Sequence, residues 1–460
     1  MSLLLAGCGG DYHGEKMSWY VVQRYSSVIR QPAKAQSEQF DRTVAALKKI
    51  IASYPSWSNC ATLQYTLGRM YGERGDIRRA EEEYSRVPLS FPKDIELGAR
   101  ALFAAGQLYE HNGQWNRALG YYRNVISQYP KTLTGIQLPL YIARHYQTQM
   151  NSSQAQKAYT QAVLFYNSVI DENPYDERVF GVESLLVIAY ANQGKWDAAE
   201  NALENVAYKY PKSSAASLSL FRAAMICDTA LQKPGKAIEL YKRIIVSYPK
   251  STIGKNAKLE IANMSIMQGD VEKAQSEFYD IIDHDKQDAP VCATAHLLLA
   301  SGYDKAGRWN DALKEYNEIM KTYPTSIESF RVPLLIALHY QLPRQQVEKR
   351  EILRKGIMMY KRNISINSEP SIRAAAWDFM AEAYGMLGKW KEAISALETL
   401  QQKFPSDPHA ELVLLRLGMF YQQGLQNYKK AAVCYCQFLR ERPEHRLAGD
   451  VRNMLNNLKV

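Results

Sequence analysis

Apolar and small residues recur along the chain at i, i+3 or i+4 and i+7, the spacing that lays one face of an α-helix against a core. In the segment 61–92, Gly68 and Tyr71 lie on one such stretch, Gly75 interrupts it, and Ala80, Tyr84 and Val87 mark a second stretch that ends at Pro92. Segment 99–130 repeats the series at identical offsets with Gly106, Tyr109, Gly113, Ala118, Tyr122, Val125 and Pro130. The pattern returns ahead of Pro211 (Gly194, Ala199, Leu203, Val206), Pro324 (Gly307, Ala312, Tyr316, Ile319) and Pro405 (Gly388, Ala393, Leu397, Leu400). The spacing predicts pairs of amphipathic helices. Gly stands between them where the first helix ends in a left-handed residue, and Pro, preceded each time by Tyr or Phe, closes the pair because it cannot continue a helix.

A longer period lies above this one. A shift of 194 residues superposes Trp115-Asn116 on Trp309-Asn310, Gly194-Lys195-Trp196 on Gly388-Lys389-Trp390, and Pro249 on Pro443. Between Pro139 and Gln147, seven of nine residues recur between Pro333 and Gln341, His145/His339 and Tyr146/Tyr340 among them. In that hairpin the second-helix positions arrive seven residues late in both copies, which predicts a second helix longer by two turns. The chain therefore divides into an N-terminal unit at 17–60, a five-hairpin block at 61–254, its duplicate at 255–443, and a capping helix at 444–460 whose Val451, Leu455 and Leu458 share a face.

The hairpin resembles the tetratricopeptide repeat, a helix-turn-helix of about 34 residues with Leu-Gly-x-x-Tyr on the first helix and Ala, an aromatic residue and Pro on the second. The resemblance implies an all-α fold, a right-handed superhelical solenoid of about 11–12 hairpins over most of 17–443, with first helices lining a concave face that binds proteins or peptides. Candidate partner-binding residues on first helices are Arg69, Glu73, Gln107, Glu110, Asp304, Lys305, Asp378 and Glu382. Relatives that hold chaperone tails place Lys and Asn on the first helix to clamp a carboxylate. The matching positions here are Tyr65 and Arg69, Phe103 and Gln107, Leu297 and Ser301, Asp378 and Glu382, so that clamp is not expected. Tyr210-Pro211-Lys212-Ser213-Ser214-Ala215-Ala216 is similar to the periplasmic branch that serves β-barrel assembly and the Tol-Pal system.

Residues 1–16 do not fit a helical hairpin and are expected to form a flexible tether. Leu5-Ala6-Gly7-Cys8 resembles the lipobox of bacterial lipoproteins, which implies acylation of Cys8 and a tether to the membrane surface. Gly9 after the cysteine implies the periplasmic face of the outer membrane. The alternative is a cytoplasmic scaffold in which Cys8 has no role.

Composition narrows the remaining choices. At 46% hydrophobic and 23% charged residues the chain lies in the globular range, which excludes dominant disorder. No stretch of about 20 residues escapes charge or Pro, so no membrane-spanning helix is expected. The net charge of +10 is spread thinly, +7 over 1–254 and +3 over 255–460, which leaves nucleic-acid binding as the weakest of the binding alternatives. Six cysteines at irregular spacing make no disulfide scaffold, and Cys434 and Cys436, two apart on a helix, face different ways. No phosphate-binding loop, zinc-protease or nucleophile-elbow motif is present, so no catalytic residue, cofactor, metal or small-molecule substrate is expected. His145, His339 and the repeated tyrosines and tryptophans are read as packing residues.

Overall fold

A computed structural model describes residues 6–55, 57, 59–172, 179–340, 343–443 and 445–458. Among the described residues the regular structure is entirely helical. The chain forms two compact units, Met1–Ala237 and Ile238–Val460. This division falls inside the helix Pro234–Ser247, ahead of the sequence boundary at 254/255. In a stack of repeats each helix packs on both neighbours, so a cut by compactness need not fall where the sequence was duplicated.

Each unit is a stack of helical hairpins. In the first unit the pairs are Cys60–Glu73 with Ile77–Ser90, Ile95–His111 with Trp115–Gln128, Leu133–Thr148 with Ser152–Glu172, and Val179–Asn192 with Trp196–Lys209. In the second they are Thr252–Met267 with Val271–His284, Ala289–Lys305 with Trp309–Thr322, Ile327–His339 with Gln346–Ile366, Pro370–Met386 with Trp390–Lys403, and Val413–Met419 with Tyr428–Glu441. Helix limits in the two units repeat at a separation of 194 residues, as in Ile77–Ser90 and Val271–His284 or Trp115–Gln128 and Trp309–Thr322.

The elements end where local chemistry stops them. Gly113 and Gly307 sit at φ 73° and 74° between the two helices of their hairpins, a left-handed conformation open to Gly without strain. Asp76, Asp270 and Asn427 cap second helices, each accepting a hydrogen bond from the backbone N–H three residues on. At the far end, Phe91, Tyr129, Tyr323 and Phe404 each donate a last helical N–H to the carbonyl four residues back. The Pro that follows disfavours α geometry at that aromatic residue and brings no N–H of its own.

Packing follows the small residues. Ala80, Ala118, Ala312 and Ala393 are fully buried on second helices. A Cβ at Gly106 would lie 2.5 Å from the ring of Tyr122, so this first helix approaches its partner as closely as a tyrosine ring allows. Second helices run 14 residues except in the hairpin that reads late, where Ser152–Glu172 and Gln346–Ile366 each run 21. The extra two turns bury Tyr166 and Tyr360, whose hydroxyls donate to the carbonyls of Ile136 and Phe330.

Two ends differ from expectation. Ala6–Arg24 is one helix, so the backbone through Cys8 and Gly9-Gly10 is helical where a flexible tether is expected; Val21 is buried on it and Gly14 lies against Trp57. The Cys8 side chain lies outside the described residues. The closing helix is Ala448–Asn456, shorter than 444–460, with Val451 and Leu458 buried and Leu455 packed beside them.

Candidate binding groove

The duplicated histidines each tie the first helices of two neighbouring hairpins together. In the first unit, Trp115 opens a second helix just past Gly113, and His145 comes from the first helix of the next hairpin. The indole and imidazole stack with centroids 3.3 Å apart and planes parallel. Glu110, in the last turn of helix Ile95–His111, lies 2.9 Å from His145 Nδ1 and accepts hydrogen bonds from the hydroxyls of Tyr122 (2.5 Å) and Tyr141 (2.6 Å). Phe103 packs on both tyrosine rings, at 5.4 and 5.8 Å. The groove here is filled by the chain's own aromatic side chains.

The second unit keeps the frame and loses the filling. Trp309 and His339 stack at 3.5 Å, and His339 Nδ1 lies 2.9 Å from Asp304. Leu297 and Leu335 stand where Phe103 and Tyr141 stand in the first unit. A cavity of about 460 Å³ opens there, walled by Leu297, Leu335 and Leu338, with Ser301, Asp304, Tyr316, Arg331 and His339 as its polar residues. The pair is correspondingly more open: side chains of His145 and Glu110 are 19% and 18% exposed, those of His339 and Asp304 28% and 36%. Burial, with the Asp304 charge adding to it, pushes the Tyr316 phenol up to about 12, so at neutral pH it carries its proton and can donate it in a hydrogen bond.

The eight residues singled out for partner contact are divided by the structure among separate hairpins, and most already have partners within the chain. Arg69 reaches the Ile29 carbonyl at 2.7 Å and Glu73 at 2.5 Å. Asp378 and Glu382 share Arg416, Glu382 at 3.0 Å. Glu110 is the three-donor acceptor described above, and the Gln107 carbonyl lies 2.7 Å from His111 Nδ1. Asp304 lines the cavity, and Lys305 is exposed beside it. Periodicity places a residue on a helix face; it does not reveal an arginine arriving from the next hairpin. Arg331, Leu335 and Leu338 were not among the candidates, although Leu335 and Leu338 are the two positions that break the match between 139–147 and 333–341.

Among the described residues no three His, Cys, Asp or Glu side chains are grouped to hold a metal ion, and no helix is long and apolar enough to cross a membrane.

Models of the tetratricopeptide repeat match residues 100–132, 294–326 and 380–407, and a second such model matches 185–252. The chain carries tetratricopeptide repeats. Both copies of the stacked Trp-His pair begin inside matched repeats, Trp115 in 100–132 and Trp309 in 294–326. Among solved structures it is similar to yeast Tom70 (12% identity, 97% of this chain and 96% of that chain, TM-score 0.42). It is also similar to a thermophilic tetratricopeptide protein of Thermus thermophilus (16%, 44% and 98%, 0.32) and to a tetratricopeptide repeat protein of Parabacteroides merdae (15%, 60% and 97%, 0.31). No curated protein sequence matches the chain.

Proposed function

We propose that this tetratricopeptide protein is a noncatalytic scaffold that binds segments of partner proteins along the face lined by its first helices, and that Cys8 tethers it by acyl chains to the periplasmic face of a bacterial outer membrane. Tetratricopeptide repeats support the scaffold part as a class. The observation that carries it here is the open groove of the second unit, where Leu297, Leu335 and Leu338 present apolar surface beside the cation of Arg331. Leu338 is 49% exposed, an apolar surface without cover in the free chain. The basic residues give nucleic-acid binding less support, because Lys236, Lys255, Arg308 and Arg416 are each tied to two carboxylates.

A photo-crosslinking amino acid at Leu338 tests the scaffold reading against the same group at Lys314, a second-helix position 75% exposed. Protein adducts from 338 and none from 314 are expected; equal yields from the two would overturn the reading.

The tether draws support from the lipobox resemblance and from Trp19 and Tyr20, 65% and 52% exposed on the helix that carries Cys8, side chains suited to a membrane–water boundary. Labelling cells with a clickable fatty acid should mark the full-length product and not its Cys8→Ser variant, and equal labelling would exclude the anchor.

A further inference from the structure

The two units hold one site in two states, and the difference between them describes a ligand. The nine-residue stretches 139–147 and 333–341 match in sequence except at Tyr141/Leu335 and Arg144/Leu338, and both of these second-unit leucines face the cavity. In the first unit the Tyr141 phenol lies across Phe103 and Tyr122 and donates its hydroxyl to Glu110. In the second unit that phenol is gone, while its surroundings persist: Tyr316 for Tyr122, Asp304 for Glu110, and the Trp309-His339 stack behind them.

The polar groups left behind are unfinished. Tyr316 is 97% buried by its 3% exposure, lines the cavity, and its hydroxyl has no hydrogen-bond partner among the described residues, whereas the matching hydroxyl of Tyr122 is engaged by Glu110. Asp304 bonds His339 through Oδ1, and no bond is found to its other oxygen among the described residues. The Tyr316 hydroxyl is not closed off from solvent; it opens on the cavity, where an incoming group can meet it. Arg331, where the first unit has Gln137, is exposed at the cavity rim with no ion pair among the described residues.

We infer that this groove, between helices Ala289–Lys305 and Ile327–His339, receives one tyrosine side chain of an extended partner peptide, with an acidic residue next to that tyrosine meeting Arg331. The ring replaces Tyr141 against the leucines, its hydroxyl donates to Asp304 and accepts from Tyr316, and the carboxylate answers the unpaired guanidinium. A cavity of about 460 Å³ lies within the range of roughly 300–1,000 Å³ common to ligand sites. Phenylalanine would fill the same apolar space and leave the polar pair unmet, so the site discriminates by the hydroxyl. This inference rests on the scaffold reading and names its partner chemistry.

The test uses the full chain and two labelled peptides, acetyl-Ala-Glu-Tyr-Ala-amide and its Phe counterpart, with binding followed by fluorescence anisotropy. The tyrosine peptide is expected to bind about tenfold tighter than the phenylalanine peptide. Leu335→Tyr refills the cavity with the chain's own phenol and is expected to weaken the tyrosine peptide about tenfold or more with the melting temperature held. Tyr316→Phe, which removes one oxygen and keeps the shape, should narrow the preference for tyrosine over phenylalanine to what the Asp304 bond supplies, and an unchanged preference in this variant decides against the proposal if Leu335→Tyr does not fold. Equal affinity for the two peptides, or unchanged binding in both variants, overturns the proposal. Selection from a random peptide library separates this failure from that of the scaffold reading: selected peptides that bind Leu335→Tyr as well as the parent end the tyrosine pocket and leave the scaffold, whereas a library that yields no binder ends both.

Discussion

At Glu110 three donors from three places in the chain, Tyr122, Tyr141 and His145, converge on one mostly buried carboxylate. Glu110→Ala strands these groups, and the loss of such a shared acceptor is expected to cost about 1–3 kcal/mol, read as a lower urea midpoint at unchanged slope. Asp304→Ala, with His339 as its one side-chain partner among the described residues, should cost less in the same measurement. The left-handed turn residues give a second comparison. Gly307 has φ 74° with nothing near its missing Cβ, so Gly307→Ala is expected to lose about 1 kcal/mol to backbone strain alone. Gln426 holds φ 51° at the matching turn of the last hairpin, and Gln426→Gly should shift the midpoint the other way. Gly307 was legible in the sequence because a backbone need selects one residue type at a fixed offset. The burial of Glu110 was not, because the tyrosine and histidine that surround it lie 12 to 35 residues away and no local pattern joins them.

Among the elements, the most informative is the 21-residue second helix, found at Ser152–Glu172 and again at Gln346–Ile366. Its length follows from a heptad of delay in the repeat pattern, since seven residues are very nearly two turns and return the apolar face to the same side. The added turns hold Tyr360, whose hydroxyl donates at 2.6 Å to Phe330 within the core, and Tyr360→Phe is expected to cost about 1 kcal/mol in urea unfolding. Ala118→Leu puts three carbons where a fully buried methyl group now sits between helices, at a cost of about 1–3 kcal/mol by the same assay. The pattern places the last hairpin but does not disclose how its first helix ends. Its first helix, Val413–Met419, passes into a π turn at Phe420–Gly424, and a Cβ at Gly424 would lie 2.3 Å from the Trp390 indole. Repeat spacing carries no sign of that ring, which arrives from the preceding hairpin.

Across the whole molecule, 31 tyrosines turn hairpin packing into a pH dependence. Burial raises Tyr84, Tyr166 and Tyr360, and burial together with the Glu110 hydrogen bond raises Tyr122, while Tyr316 and Tyr323 are pushed up to about 12. Each keeps its proton in the folded chain at a pH where the unfolded chain has lost it, so folding binds protons there and stability falls as pH rises above about 10. Urea melts between pH 8 and pH 11 should show the midpoint falling through this window; a flat midpoint would mean that these phenols titrate freely in the fold. The sequence by itself determined the hairpins, their limits, the long helix and the 194-residue recurrence. These are properties of spacing, turn chemistry and duplication, which act between residues close in the chain or identical in kind. Which groove is full and which is open was decided in three dimensions. Tyr141 and Leu335 are both apolar-bodied residues on the same helical face, and one closes its groove while the other leaves space, because filling depends on side-chain volume against rings from other helices.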